Sequence, residues 1–207
     1  MITKKPMIKE TVGALYLAFN TPDNSGNFDP ETYEETIKSD VVKTITTSDT
    51  GESTVVRASG QDYTTVNSLS RIENDVEIIA FDPTDLAKMR GDTIDASGLV
   101  FSGAPKLRPF FAFGKVVKKV GGGVEYVWYP KCQLIENSEE AKTSEENFSE
   151  QNDTLKIAAY AFDDAGNKAV RVNSEMANFP EGLTEAKFFT KPILTVAAFT
   201  ALTTQGA

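Results

Sequence analysis

Residues 108–162, RPFFAFGKVVKKVGGGVEYVWYPKCQLIENSEEAKTSEENFSEQNDTLKIAAYAF, decide the fold. Two strand-like runs, 109–120 and 124–135, meet at Gly121-Gly122-Gly123, and glycine readily takes the positive φ of a tight reversal. They predict an antiparallel hairpin rich in aromatic residues. A phosphate loop needs a lysine and a serine or threonine directly after its last glycine, whereas Val124 and Glu125 stand there. In strand parity Tyr126 and Trp128 share one face while Tyr129 takes the other. The aromatics therefore divide, which favours a sandwich core with an interface over a stacking platform for single-stranded nucleic acid, although Lys115, Lys118 and Lys119 lie near. Cys132 shares the parity of Tyr126 and Trp128 and is expected as a small buried hydrophobe.

Upstream, residues 12–19, VGALYLAF, read as a buried strand, although a run this short and apolar also fits a piece of helix. The next segment, TPDNSGNFDP, is rich in turn formers and predicts a long loop. Within residues 34–57 the runs VVKTITTS and STVVRAS flank DTGE, where a reversal between paired strands is expected. Their many threonines and serines leave neither face strongly apolar, so the pair lies at an edge or awaits a partner subunit. Residues 71–81 alternate, with Ile72, Val76 and Ile78 on one side and Glu73, Asp75 and Glu77 on the other. Asp82, Pro83 and Asp85 then favour a short helix that Gly91 ends.

Downstream, residues 98–104 predict a short strand before the hairpin, and residues 136–153 a long loop or weak helix around SEEAKTSEEN. Residues 154–162 return to strand character, and DDAGNK is a turn into residues 169–173. The acids Glu139, Glu140, Glu145 and Glu146 lack calcium-loop spacing and read as solvated. In residues 180–207, Pro180, Gly182 and Pro192 punctuate apolar runs without a long amphipathic helix. This is a C-terminal arm. Exposure of its Phe188, Phe189, Ile193, Leu194 and Phe199 would be costly, so docking on the same domain or on a neighbour is expected.

The chain has 207 residues, which suits one domain, here residues 12–179 between arms at 1–11 and 180–207. With 21 basic and 30 acidic residues the net charge is −9, which repels nucleic-acid phosphates. One cysteine allows no intrachain disulfide, and no histidine means no Ser-His-Asp or Cys-His chemistry. No catalytic group, cofactor or metal is expected. The start, MITKKPMIKE, lacks the apolar stretch of a signal peptide, and no apolar run approaches the ~20 residues that span a bilayer. The expectation is a soluble product made in a cytosol, with no membrane partner.

The order of the acidic alternating strand, AFDPTDLAKMRG, KLRPFFAFGKVVKKVGGGVEYVWYPKCQL and EEAKTSEEN resembles the major tail proteins of long-tailed, non-contractile phages and related prophages, over residues 62–162. The resemblance implies a mostly β fold, a β-sandwich of antiparallel sheets with one short flanking helix. It implies hexameric rings stacked into a tail tube within the virion, made in the host bacterial cytoplasm. Its partners would be further copies, tape-measure and tail-terminator proteins, and DNA that passes without specific binding. It places Phe28, Val41, Ile45, Val55, Phe188, Phe189, Ile193 and Leu194 among candidate assembly contacts. Glu73, Asp75 and Glu77 are candidates for an acidic lumen lining, against the plain alternative of a solvated outer face. The tube of a contractile tail or secretion system shares this plan, and a carbohydrate-binding β-sandwich is a reading of another class.

Overall fold

The computed structural model describes residues 5–103, 107–143 and 151–204. Its elements in chain order are β1 (Lys9–Phe19), β2 (Ile37–Ser39), β3 (Val42–Ala58), β4 (Gln61–Ile78), α1 (Pro83–Arg90), β5 (Thr93–Ile94), β6 (Val100–Phe101), β7 (Phe111–Lys119), β8 (Val124–Ser138), β9 (Asp153–Ala159), β10 (Val170–Asn173), α2 (Glu185–Phe188) and α3 (Val196–Thr204). The fold is mostly antiparallel β. One sheet runs β2-β1-β7-β8-β9-β4-β3, and β10 joins β8 beyond the end of β9. β5 and β6 form a separate small ribbon.

The sheet doubles over as a sandwich. Leu15, Leu17, Phe111, Phe113, Tyr129 and Leu134 of one leaf share a core with Ile72, Val76, Ile78, Leu155 and Ile157 of the other. Buried apolar surface of this kind stabilises a fold by roughly 25 cal/mol per Å². α1 adds Met89 to that core. Its ends follow the sequence: the Asp82 carboxylate accepts from the amides of Thr84 and Asp85 at 2.8 and 3.2 Å, and Gly91 leaves the helix at φ +75°.

A second core lies on the other face of β1, β7 and β8. Ala14, Tyr16, Ala112, Val116, Tyr126 and Trp128 are covered there by Leu183, Phe188, Phe189 and Ile193. β1 is thus buried on both faces, which is why VGALYLAF is apolar without alternation. The C-terminal segment docks on its own domain and includes two short helices that its punctuated sequence did not announce. The Trp128 indole donates to the Phe188 carbonyl at 3.1 Å, and Gly114 makes room for Phe189, since a Cβ would meet that ring at 2.7 Å.

Two expectations need correction. The reversal assigned to DTGE does not exist: β3 runs through it, and the chain turns instead at Ser59 and Gly60, with φ +53° and +78°. Two successive positive φ values match the twist of a two-residue hairpin turn. Gly51 serves a register irregularity, where a Cβ would meet the Ser68 carbonyl at 2.5 Å. Cys132 faces the first core with Tyr129, opposite to Trp128. Phe113 pairs with Tyr129 but Phe111 with Cys132, so an extra residue at Pro130-Lys131 reverses the alternation. Of the predicted loop or weak helix, residues 139–143 are irregular, and residues 144–150, its heart, lie outside the described residues.

The glycine hairpin forms as expected. The Lys119 amide donates to the Gly123 carbonyl at 2.7 Å, and Gly121 and Gly122 both take φ +86°. The same five-residue closure recurs at residues 23–27 and 95–99, and a closure one residue wider at 162–167, where the Phe162 amide donates to the Asn167 carbonyl at 2.9 Å; in each an aspartate accepts from a loop amide and a glycine follows three residues after it. DDAGNK is one of these turns, leading into β10.

Candidate assembly surface

The largest feature outside the two cores is the far half of the β3–β4 hairpin. β9 pairs with β4 only from Ile72 to Ile78, so among the described residues the strands have only each other over residues 50–71. At ~3.3 Å per residue this ribbon projects roughly 30 Å. Val55, Val56, Tyr63 and Leu69 on it are 45%, 43%, 78% and 41% exposed. Arg57 and Asp62 pair at 2.8 Å close to its tip. Two unpaired edges and solvated apolar side chains are costly to an isolated chain.

Glu73, Asp75 and Glu77 lie on the outward face of β4, as alternation requires, opposite Ile72, Val76 and Ile78. They are not a bare acidic row. Glu73 pairs with Arg71 at 2.6 Å and with Lys156 at 3.7 Å, and Glu77 accepts from the Asn152 amide at 2.8 Å. Asp75 is exposed in a shallow groove with Thr44, Thr46, Glu136 and Lys156.

The candidate contact residues separate into three groups. Val55 is exposed on the ribbon. Phe28 is half-buried: it meets Tyr33 and Phe110 edge-on, at ring-centroid distances of 6.2 and 5.7 Å, with the Lys131 ammonium 4.9 Å from its ring. Val41 and Ile45 pack against the first core. Phe188, Phe189 and Ile193 are fully buried in the second core, and Leu194 is half-buried, so the chain's own sheet takes up the apolar surface of this segment.

The aromatic hairpin offers no stacking platform, because Phe111, Phe113, Tyr126, Trp128 and Tyr129 are all buried. Burial pushes the Cys132 thiol far above its usual range, which leaves it protonated. Among the described residues no three side chains of His, Cys, Asp or Glu cluster as metal ligands. No helix among them is long and apolar enough to cross a membrane.

A polar cleft opens where the first core ends, between β3 and the leaf of β7, β8 and β10. Thr47, Asp49, Lys115, Glu125, Tyr129 and Arg171 line it, with Lys9 of β1. Sequence reasoning noted Lys115 only as one of several nearby lysines. Its place in the row Phe111, Phe113, Lys115 was the available sign that it points inward.

No family model matches the chain, and no curated protein matches it in sequence. Among solved structures it is similar to a chain in the cryo-EM structure of the anti-feeding prophage (AFP) baseplate, 6-fold symmetrised, with a TM-score of 0.46 and 6% identity over 84% of this chain and 100% of that chain.

Proposed function

We propose that this chain is a structural, self-assembling subunit of a phage-type tail tube, forming hexameric rings that stack into a conduit for the genome. The observation that carries the reading is the β3–β4 ribbon, which leaves the sandwich with both edges unpaired and Tyr63 and Val55 exposed. Such a ribbon gains partners only by meeting another chain. The two cores make the sandwich a rigid base for it. The ordered sequence landmarks add the tube, and the net charge of −9 suits a wall along which DNA passes without sticking. In this reading Glu73, Asp75 and Glu77 remain candidates for the lumen wall, and the virion supplies tape-measure and terminator proteins as further partners.

Electron microscopy of the purified chain over a range of concentrations tests the proposal. Rings or stacked tubes are expected at high concentration. A chain that stays monomeric throughout defeats the reading, and binding of such a monomer to a glycan array would favour a carbohydrate-binding module.

A further inference from the structure

Two lysines of β7 are buried, and they differ in how their charge is met. Lys119, 4% exposed, donates to Glu175 at 2.5 Å and to the Asn173 side-chain carbonyl at 2.9 Å. A buried cation with a carboxylate partner is the ordinary arrangement. Lys115, 9% exposed, has no carboxylate within ion-pair distance among the described residues. Its ammonium donates to the Thr47 hydroxyl and stands 5.7 Å from the centre of the Tyr129 ring.

The polar chain continues inward and stops short. Thr47 donates to the Asn74 side-chain carbonyl at 2.6 Å. Asn74 is 0% exposed, and its amide nitrogen finds no acceptor among the described residues. The groups around Lys115 are Lys9 from β1, Asp49 from β3, Glu125 and Tyr129 from β8 and Arg171 from β10, and Glu10 of β1 lines the adjoining cleft that Lys115 shares with Lys9 and Thr47. Three cations thus face two carboxylates in a cleft of about 240 Å³. That is room for one more carboxylate, and none of those present pairs with Lys115. Desolvation and then Arg171 lower the ammonium's pKa to about 8, Glu125 pulls the other way, and Lys9 adds the smallest downward push.

We propose that this cleft is a socket for a carboxylate side chain from a second copy of the chain, which supplies the counter-ion that Lys115 lacks. The inference rests on the self-assembly reading. Two features argue for another copy as the source. The chain carries 30 acidic residues against 21 basic ones, so a neighbouring copy brings an excess of carboxylates. The cleft also lies at the foot of the projecting ribbon, where Thr47 and Asp49 precede its free portion, so a copy seated on the ribbon reaches the mouth.

The sign of the pH effect follows. A docked carboxylate raises the pKa of Lys115 in the assembly above its monomer value. Assembly is then fully favoured below pH about 8 and weakens as pH rises through the higher, assembled value. One proton per subunit sets a limit of about tenfold in the association constant per pH unit.

The test compares the wild type with Lys115→Met and, as an exposed control, Lys118→Met. Sedimentation gives the threshold concentration for assembly between pH 7 and 10. The wild-type threshold is expected to climb with pH, Lys118→Met to follow it, and Lys115→Met to need at least tenfold more protein at pH 7 with a flatter profile. Carbon-13 labelling of the lysine ε-carbons in the wild type gives a second readout that does not depend on the variant folding. One lysine is expected to titrate near pH 8 in the dilute monomer and higher in the assembly. Equal thresholds and profiles for Lys115→Met and wild type, or an assembly in which that lysine still titrates near 8, overturn the socket alone. A wild type that never assembles overturns the self-assembly reading and the socket with it.

Discussion

Tyr16 and Phe189 lie face to face, with ring centroids 3.9 Å apart and planes 1° from parallel. One belongs to β1, the other to the C-terminal segment. The Tyr16 hydroxyl donates to Glu185 at 2.5 Å, and Lys38 approaches the same carboxylate at 3.5 Å. A stack and a charge-assisted hydrogen bond thus join near the N-terminus to near the C-terminus across the second core.

Removing the stacked ring should loosen that whole junction. Phe189→Ala is expected to cost about 3–5 kcal/mol by denaturant unfolding, since it empties a site packed by Tyr16, Tyr126, Trp128 and Phe188. Gly114→Ala forces a methyl against the same ring and is expected to cost about 1–3 kcal/mol. Limited proteolysis should cut both variants first after residue 180.

Alkaline pH should unfold the domain through its tyrosines. Burial raises the pKa of Tyr16, Tyr33, Tyr126 and Tyr129 above the usual value near 10, and Glu185 adds to the shift at Tyr16. A raised pKa means stability that is complete below pH ~10 and falls as pH climbs through the folded values. Phenolate absorbance from these four side chains is expected to appear together with loss of the circular-dichroism signal.

Charge on the ribbon should separate folding from assembly. Tyr63 is 78% exposed, so Tyr63→Lys is expected to shift unfolding by less than about 0.5 kcal/mol. The same variant should fail to form rings or tubes in electron micrographs taken where the wild type does. Normal tubes would show that the ribbon is not an assembly contact.

Cys132 should be silent until the fold opens. It is 0% exposed, with its thiol pushed up by burial. Native protein is expected to resist a thiol reagent for hours, and reactivity should appear at the denaturant midpoint measured by fluorescence.

Much of this architecture is readable in the sequence because local chemistry and tertiary contacts agree. The glycine hairpin, the Asp82 cap, the alternation at residues 71–78 and the DDAGNK turn each follow from conformational preference at a few positions. The misplaced reversal shows the limit. DTGE and ASGQ are both credible turns, and only pairing of residues 42–58 with 61–78 along their full length selects the second. The burial of Lys115 was hidden for a similar reason. A lysine in a strand is ordinarily solvated, and what encloses this one comes from β1, β3, β8 and β10, far apart in the chain.

The extra residue at Pro130-Lys131 has a consequence for how the protein can change over time. N-terminal to it, β8 sends Val127 and Tyr129 to the first core and Tyr126 and Trp128 to the second; beyond it, Cys132 and Leu134 return to the first. Losing one residue there would turn Cys132 and Leu134 outward and Gln133 inward, and no single substitution restores both faces. The ribbon tip, held among the described residues by its own strand pairing and the Arg57–Asp62 ion pair, tolerates gain or loss of matched residue pairs. Length variation in relatives of this chain should therefore collect near residues 58–61 and be absent at 129–132, one end of the molecule free to follow a changing neighbour while the other holds its count.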